Sequence, residues 1–175
     1  MRSPQIDAPI IGLDPGLSIT GYAVLSVSGA LLTPLSIGVL RTSPARDPAD
    51  RLNSLREALE VVLRRHGPGV AAVERLFFNS NVKTAMSVGQ ASGVLLATLG
   101  AAGIPAFTYT PPEVKLAVAG TGTAPKNQVQ SMVARLLKLA EVPSPPDAAD
   151  ACALAICHAR RAPLRAAIAA AGATT

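Results

Sequence analysis

Tryptophan is absent from this 175-residue chain, and phenylalanine and tyrosine together number five. The core therefore cannot rest on large rings and has to come from aliphatic and small side chains in close contact. Charged residues make up 15% of the chain against 49% apolar ones, a balance that excludes a disordered chain and leaves a domain able to bury a real core. The two cysteines, Cys152 and Cys157, are too few for a disulfide scaffold. They fall on one predicted helix, five positions and roughly 140° apart, so they cannot bond to each other. Nothing near them has zinc-ligand spacing, and a reducing cytosol is the simple setting. Long apolar runs are missing too. Residues 94–106 form the most apolar stretch and are too few to span a bilayer. Residues 1–8 hold no apolar core of signal-peptide length. The expectation is a soluble, cytoplasmic, single-domain protein with no membrane partner.

What is present is a surplus of positive charge. Sixteen Lys and Arg face eleven Asp and Glu, for a net charge of +5. If four of those acids are held in one site, the rest of the surface carries an excess of nine positive charges. A basic surface around an acidic, cation-loaded pocket suits a polyanionic substrate.

Apolar runs and turn signals predict strands over residues 10–14, 21–27 and 35–41, joined by short turns into an antiparallel meander. Residues 48–66 then read as an amphipathic helix, with Leu52, Leu55, Leu59, Val62 and Leu63 on one face. A strand over 70–74, a helix over 83–102 and a strand over 104–108 follow. Helical pieces over 112–119, 126–140 and 147–161 complete the domain, leaving residues 1–8 as an arm and an Ala-rich, frayed tail from 163. The order implies an α/β fold, a five-stranded mixed sheet flanked by helices.

Four acids stand out. Asp14 ends the run Ile10-Ile11-Gly12-Leu13, and Glu74 ends Val70-Ala71-Ala72-Val73. Ligands gather outside the C-terminal ends of strands in α/β sheets. Asp147 and Asp150 open the last helix three residues apart, on one face. Each has a structural reading: Asp14 as part of an Asp-Pro-Gly turn, Glu74 as a surface partner of Arg75, and the last two as helix-start acids. Together they form a site for divalent cations and point to phosphoryl chemistry. Gly120-Thr121-Gly122-Thr123 makes a flexible loop whose amides and the hydroxyls of Thr121 and Thr123 can meet a backbone phosphate. It is not a nucleotide-binding loop, because the Gly-Lys-Ser/Thr run is missing. His158 lies too far along the helix from Asp147 to ligate with it, and reads as a supporting or DNA-facing residue.

Gly12-Leu13-Asp14-Pro15-Gly16 with Thr20-Gly21-Tyr22 resembles the opening of the RuvC family of Holliday junction resolvases. The resemblance runs through Glu74 and Phe77, Gly89-Gln90-Ala91-Ser92-Gly93, Val114-Lys115, the segment 120–129, Asp147-Ala148-Ala149-Asp150-Ala151 and His158. It implies an RNase H-like fold and a homodimer that makes paired, symmetric nicks in four-way junction DNA. By the same resemblance Asp14, Glu74, Asp147 and Asp150 are metal ligands. Two Mg²⁺ ions per site are implied, with Mn²⁺ able to substitute. Lys115 and Lys126 match family lysines near the active site, where they bind phosphate or balance charge. Phe77 matches a base-stacking residue, and Lys83 just after it joins the DNA-contacting set. Small residues at every fourth position, Ala85, Gly89, Gly93, Ala97 and Ala101, match the family's dimer helix. A branch-migration complex of the RuvA/RuvB type is the implied protein partner. Ala23 in place of a frequent Gly, and the arm before the first strand, depart from the family pattern without touching a ligand. Three rival readings stand beside this one: a nuclease for RNA–DNA hybrids, a non-cutting junction binder, and an actin-like ATPase, which needs a longer chain.

Overall fold

The computed structural model describes residues 7–76 and 82–172, with side chains described for 8–76 and 85–162. Strands β1 (Asp7–Asp14), β2 (Ile19–Ser28) and β3 (Leu31–Arg41) form the expected antiparallel meander. After helix α1 (Pro48–His66), strand β4 (Val70–Glu74) pairs parallel to β1. Helix α2 (Val82–Ala101) leads to β5 (Ala106–Tyr109), which pairs parallel to β4. Helices α3 (Pro111–Ala119), α4 (Lys126–Leu136) and α5 (Pro146–Gly172) follow. The sheet order is β3-β2-β1-β4-β5, so β1 sits in the middle and β3 and β5 are edges.

Alternation along the strands divides the core into two layers. Ile11, Leu13, Val24, Ala71 and Val73 face α1 and α2, where they meet Leu55, Leu59, Leu95 and Leu99. Ile10, Ala23, Leu25, Ala72 and Tyr109 face the other side and meet α3, α4 and α5. With period two, Gly12 and Asp14 fall on the α5 side of β1, and Glu74 falls on the α5 side of β4.

Helix α5 is buried almost all round: Ala148, Ala149 and every residue from Ala151 to His158 are buried. A helix this enclosed has to be built of small residues, which explains its alanines and both cysteines. Burial pushes the Cys152 thiol up to about 12, so it is an inert packing group.

Several boundaries differ from the sequence expectation for identifiable reasons. Strand β3 begins at Leu31 rather than residue 35. Pro34 is tolerated because β3 is an edge strand with a register shift opposite Val24 and Leu25. Strand β5 starts at Ala106 because Pro105 can only accept, which it does from the Ala71 amide at 2.9 Å. Helix α4 stops at Leu136, and Lys138 just beyond takes a left-handed φ of 53°; with no glycine there, the sequence carries no stop signal. Helix α5 continues to Gly172 instead of ending near Arg161. The last two residues of the expected arm, Asp7 and Ala8, belong to β1.

Candidate active site

Parallel pairing of β1 with β4 puts Leu13 opposite Val73, which leaves Asp14 and Glu74 side by side at the strand ends. The turn after Asp14 is fixed locally. The Thr20 hydroxyl is fully buried and donates to the Gly16 carbonyl at 2.7 Å.

The first turn of α5 lies directly over this pair because two glycines let it. A Cβ on Gly21 would stand 1.9 Å from the Asp147 carbonyl oxygen, and one on Gly12 would stand 2.1 Å from that of Ala151. Gly21 is also the cross-strand partner of Asp14. The helix backbone thus rests on bare strand backbone, and Asp147 and Asp150 are delivered to Asp14. Sequence reasoning quoted both glycines as motif residues but missed this role, which only the helix position reveals.

The four acids feel one another. Burial holds Asp14 far above the usual carboxylate range, at about 8, reinforced by the negative charges of Glu74, Asp150 and Asp147. Burial also raises Glu74, while a hydrogen bond from Asp14 opposes the rise. Both shifts run the same way: the pair resists carrying two negative charges in the metal-free chain. The arrangement is a concentration of negative charge short of positive partners.

Lys126 is the one cation bonded into it among the described residues. Its Nζ donates to an Asp150 carboxylate oxygen at 2.7 Å, and this bond raises the lysine. The lysine is 62% exposed, so the pair adds little stability and Lys126 is free to turn to another anion. Lys115, on α3, lines the same cleft with Glu74, Lys126 and Asp150, over a floor of Val114, Val129 and Leu154.

All the donors are carboxylate oxygens, which suits a hard divalent cation. Among the described residues no three His, Cys, Asp or Glu side chains are already gathered as a metal-ligand group. The acids converge on one place and repel across it, the condition a cation would relieve.

The remaining expectations fall out unevenly. Thr121 and Thr123 are exposed on the loop leading to Lys126, their hydroxyls 3.1 Å apart. Gly120, at φ 82°, closes α3 and starts that loop. Phe77 lies outside the described residues, as does the side chain of Lys83 at the start of α2. Gly89 and Gly93 have nothing within 4 Å of where a Cβ would be, and Gly93 and Ala97 are exposed while Ala85 and Gly89 are half-buried. Among the described residues nothing packs against the ridge of α2 at Gly89 and Gly93.

His158 corrects one expectation, since it cannot face DNA. It is 5% exposed, with its Nδ1 2.8 Å from the hydroxyl of the fully buried Tyr109. Its ring also lies 5.0 Å from that of Phe107. Tyr109 pairs with Glu74 across β4 and β5, so this buried contact ties α5 to the strand beside Glu74. Sequence reading missed Tyr109, whose only signal was its place at the end of an apolar run.

Comparison with known proteins adds the family. The sequence model described as "Crossover junction endodeoxyribonuclease RuvC" matches residues 10–158. A protein of that description from Pelotomaculum thermopropionicum is 49% identical over 150 residues, 86% of this chain and 92% of the relative. Another from Moorella thermoacetica is 47% identical over 156 residues, 89% of this chain and 93% of the relative. The solved structure of T. thermophilus RuvC in complex with Holliday junction substrate superposes with a TM-score of 0.86 at 36% identity, covering 90% of this chain and 96% of that one. The yeast mitochondrial Holliday junction resolvase shares the fold alone, with a TM-score of 0.69 at 14% identity over 93% of this chain and 84% of that one. On its sequence along most of its length, and on its RNase H-like fold, the chain belongs to the RuvC family of crossover junction endodeoxyribonucleases.

Proposed function

We propose that this chain resolves four-way DNA junctions by hydrolysing phosphodiester bonds at the Asp14, Glu74, Asp147 and Asp150 cluster, with Mg²⁺ as the working ion and Mn²⁺ as a substitute. The observation that carries this reading is the placement of Asp14 and Glu74 on adjacent parallel strand ends, beneath the helix start that bears Asp147 and Asp150. Two divalent cations held there would supply water activation and charge neutralisation at the scissile phosphate.

The protein's own residues do the rest. Strand pairing fixes the backbones of Asp14 and Glu74 side by side. Asp147 and Asp150 ride on a buried helix that cannot tilt freely. Lys126, bonded to Asp150 in the free protein, is placed to exchange that partner for a substrate phosphate, and Lys115 sits across the same cleft to hold a second phosphate oxygen. Thr121 and Thr123 offer hydroxyls to the backbone beyond it. Phe77 and Lys83 complete the DNA-contacting set, on the strength of their motif positions.

Paired cutting needs two active sites, and the homodimer is assigned to α2. Its outward ridge of Ala85, Gly89, Gly93 and Ala97 is flanked by Met86, 61% exposed, and Leu96, 37% exposed. An apolar, small-residue face of this kind admits a second helix closely. A branch-migration complex of the RuvA/RuvB type is the proposed partner on the junction, and the cytoplasm the proposed compartment. No helix among the described residues is long and apolar enough to cross a membrane.

Initial cleavage rates on a synthetic four-way junction, a linear duplex and an RNA–DNA hybrid, each with Mg²⁺, test the reading. The junction is expected to be cut far faster than the others. Preference for the hybrid would refute the substrate assignment.

A further inference from the structure

The carboxylate end of the sheet has a basic corner that the site just described does not use. It lies on the β3 side, across β2 from Asp14. Arg51, in the first turn of α1, donates from Nη2 to the Ser18 hydroxyl at 2.8 Å and from Nε to the Thr42 hydroxyl at 3.0 Å. Thr42 in turn donates its hydroxyl to the Leu17 carbonyl, and its amide bonds the Ser18 carbonyl at 3.2 Å. Ser18 closes the turn that begins directly after Asp14. Arg41, the exposed last residue of β3, pairs with Ile19 next to that turn.

The charge state of this corner is what sets it apart. Three other arginines on α1 and the loop before it, Arg46, Arg56 and Arg64, are already matched by acids, while Arg65 sits exposed at the far end of the helix. Arg46 pairs with Asp50 at 3.6 Å, Arg56 with Glu60, and Arg64 with Glu60 at 3.6 Å. Among the described residues, neither Arg51 nor Arg41 has a carboxylate within ion-pair distance. Arg51 is instead held by two neutral hydroxyls, which fix the plane of its guanidinium and leave its charge uncompensated. Loss of side-chain freedom, the usual cost of an arginine–phosphate contact, has largely been met before any ligand arrives.

We propose that Ser18, Thr42 and Arg51, with Arg41 beside them, form a phosphate-binding corner for the DNA backbone away from the cut. This rests on the reading of the chain as a junction nuclease. Strand β3 stands two strand spacings from β1, about 10 Å, so the corner lies within a few phosphates of the carboxylates along one DNA strand. Lys115 and Lys126 lie on the opposite side of the carboxylates. The backbone path then runs across the strand ends, gripped on both sides of a centre that would otherwise repel it. The hydroxyls contribute direction: both orient the guanidinium, and the Ser18 hydroxyl can give its proton to a phosphate oxygen, while the Thr42 proton goes to the Leu17 carbonyl.

The test is junction binding as a function of salt, measured in Ca²⁺ or in metal-free buffer so that nothing is cut. Arg51→Gln is expected to lower the slope of log K against log salt by about one, and to weaken binding by about tenfold at 0.1 M salt. Arg51→Lys is expected to keep the slope, because it keeps the charge. Junctions carrying a single uncharged methylphosphonate two to four positions from the cut locate the contact. At one of these positions the wild-type chain loses affinity and Arg51→Gln loses none further. Arg41→Gln provides a second variant, at an exposed position. Wild-type slopes for both glutamine variants, with the wild-type chain binding and cutting normally, overturn the corner alone. A wild-type chain that binds no junction overturns the DNA reading and the corner with it. Loss of affinity in Arg51→Gln with an unchanged slope and no methylphosphonate coupling also overturns the proposal, since it assigns Arg51 to loop structure.

Discussion

Gly21→Ala is the substitution that probes the architecture of the site most sharply. The added methyl would lie 1.9 Å from the Asp147 carbonyl oxygen, 2.4 Å from its carbon and 3.2 Å from the Ala148 nitrogen, all of them backbone atoms. To restore an ordinary contact of 3.4 Å, the first turn of α5 has to retreat by about 1.5 Å. That helix is buried from Ala151 to His158, so the movement strains the core as well, at about 1–3 kcal/mol for an overpacked site. The functional cost is larger. Asp147 and Asp150 move with the turn while Asp14 and Glu74 stay on their strands, and a misplacement of about 1 Å at a reacting centre costs about a hundredfold in rate. Single-turnover nicking of a labelled junction at saturating protein and Mg²⁺ is the assay, with a thermal melt alongside. Gly21→Ala is expected to remain folded, melt several degrees lower and nick at least a hundredfold more slowly. Gly100→Ala, where a Cβ meets nothing within 4 Å, is the matched control and is expected to leave the melt unchanged or raised. Wild-type nicking by Gly21→Ala would refute the claim that helix-to-strand contact sets the site.

Three further outcomes follow from the same geometry. With Asp14 held at about 8 against an unfolded value of 3.8, the folded metal-free chain binds the extra proton between those limits; its stability therefore falls as pH rises from about 4 to about 8, by on the order of a few kcal/mol. Chemical denaturation at several pH values should show this slope, flattened by Asp14→Asn and opposed by saturating Mg²⁺, and a pH-independent midpoint for the wild-type chain would contradict it. Tyr109→Phe leaves His158 Nδ1 without its 2.8 Å partner and is expected to destabilise by about 1–3 kcal/mol, read as a shifted denaturant midpoint; an unchanged midpoint would show that the contact holds nothing. Gly93→Arg places charge on the outward ridge of α2 and is expected to yield a monomer by sedimentation with a folded spectrum, whereas an unchanged dimer would move the interface elsewhere.

The sequence made the strand ends legible because short apolar runs closed by an acid are local signals. Asp14 and Glu74 could be placed at one end of a sheet without knowing the sheet order. Their adjacency could not, because it depends on the parallel pairing of β1 with β4, a contact sixty residues apart in the chain. The i, i+3 spacing of Asp147 and Asp150 was readable, but their delivery to Asp14 was not. That depends on two bare strand positions, Gly12 and Gly21, and a glycine motif does not announce what will lie against it. Of the two readings of His158, supporting or DNA-facing, the second fails because burial of residues 151–158 turns the ring toward Tyr109, which sequence spacing does not reveal. Arg51 carries no local signal of its role; only the fold brings Ser18 and Thr42 to it.

Mapping of nicks on an end-labelled synthetic four-way junction, for the wild-type chain and Asp14→Asn with and without Mg²⁺, tests the four-carboxylate centre most directly. The wild-type chain is expected to nick two opposing strands at symmetric positions only when the cation is present, and Asp14→Asn to bind the junction without nicking it. Cleavage by Asp14→Asn at the wild-type rate would contradict the assignment of the carboxylates as the cutting centre.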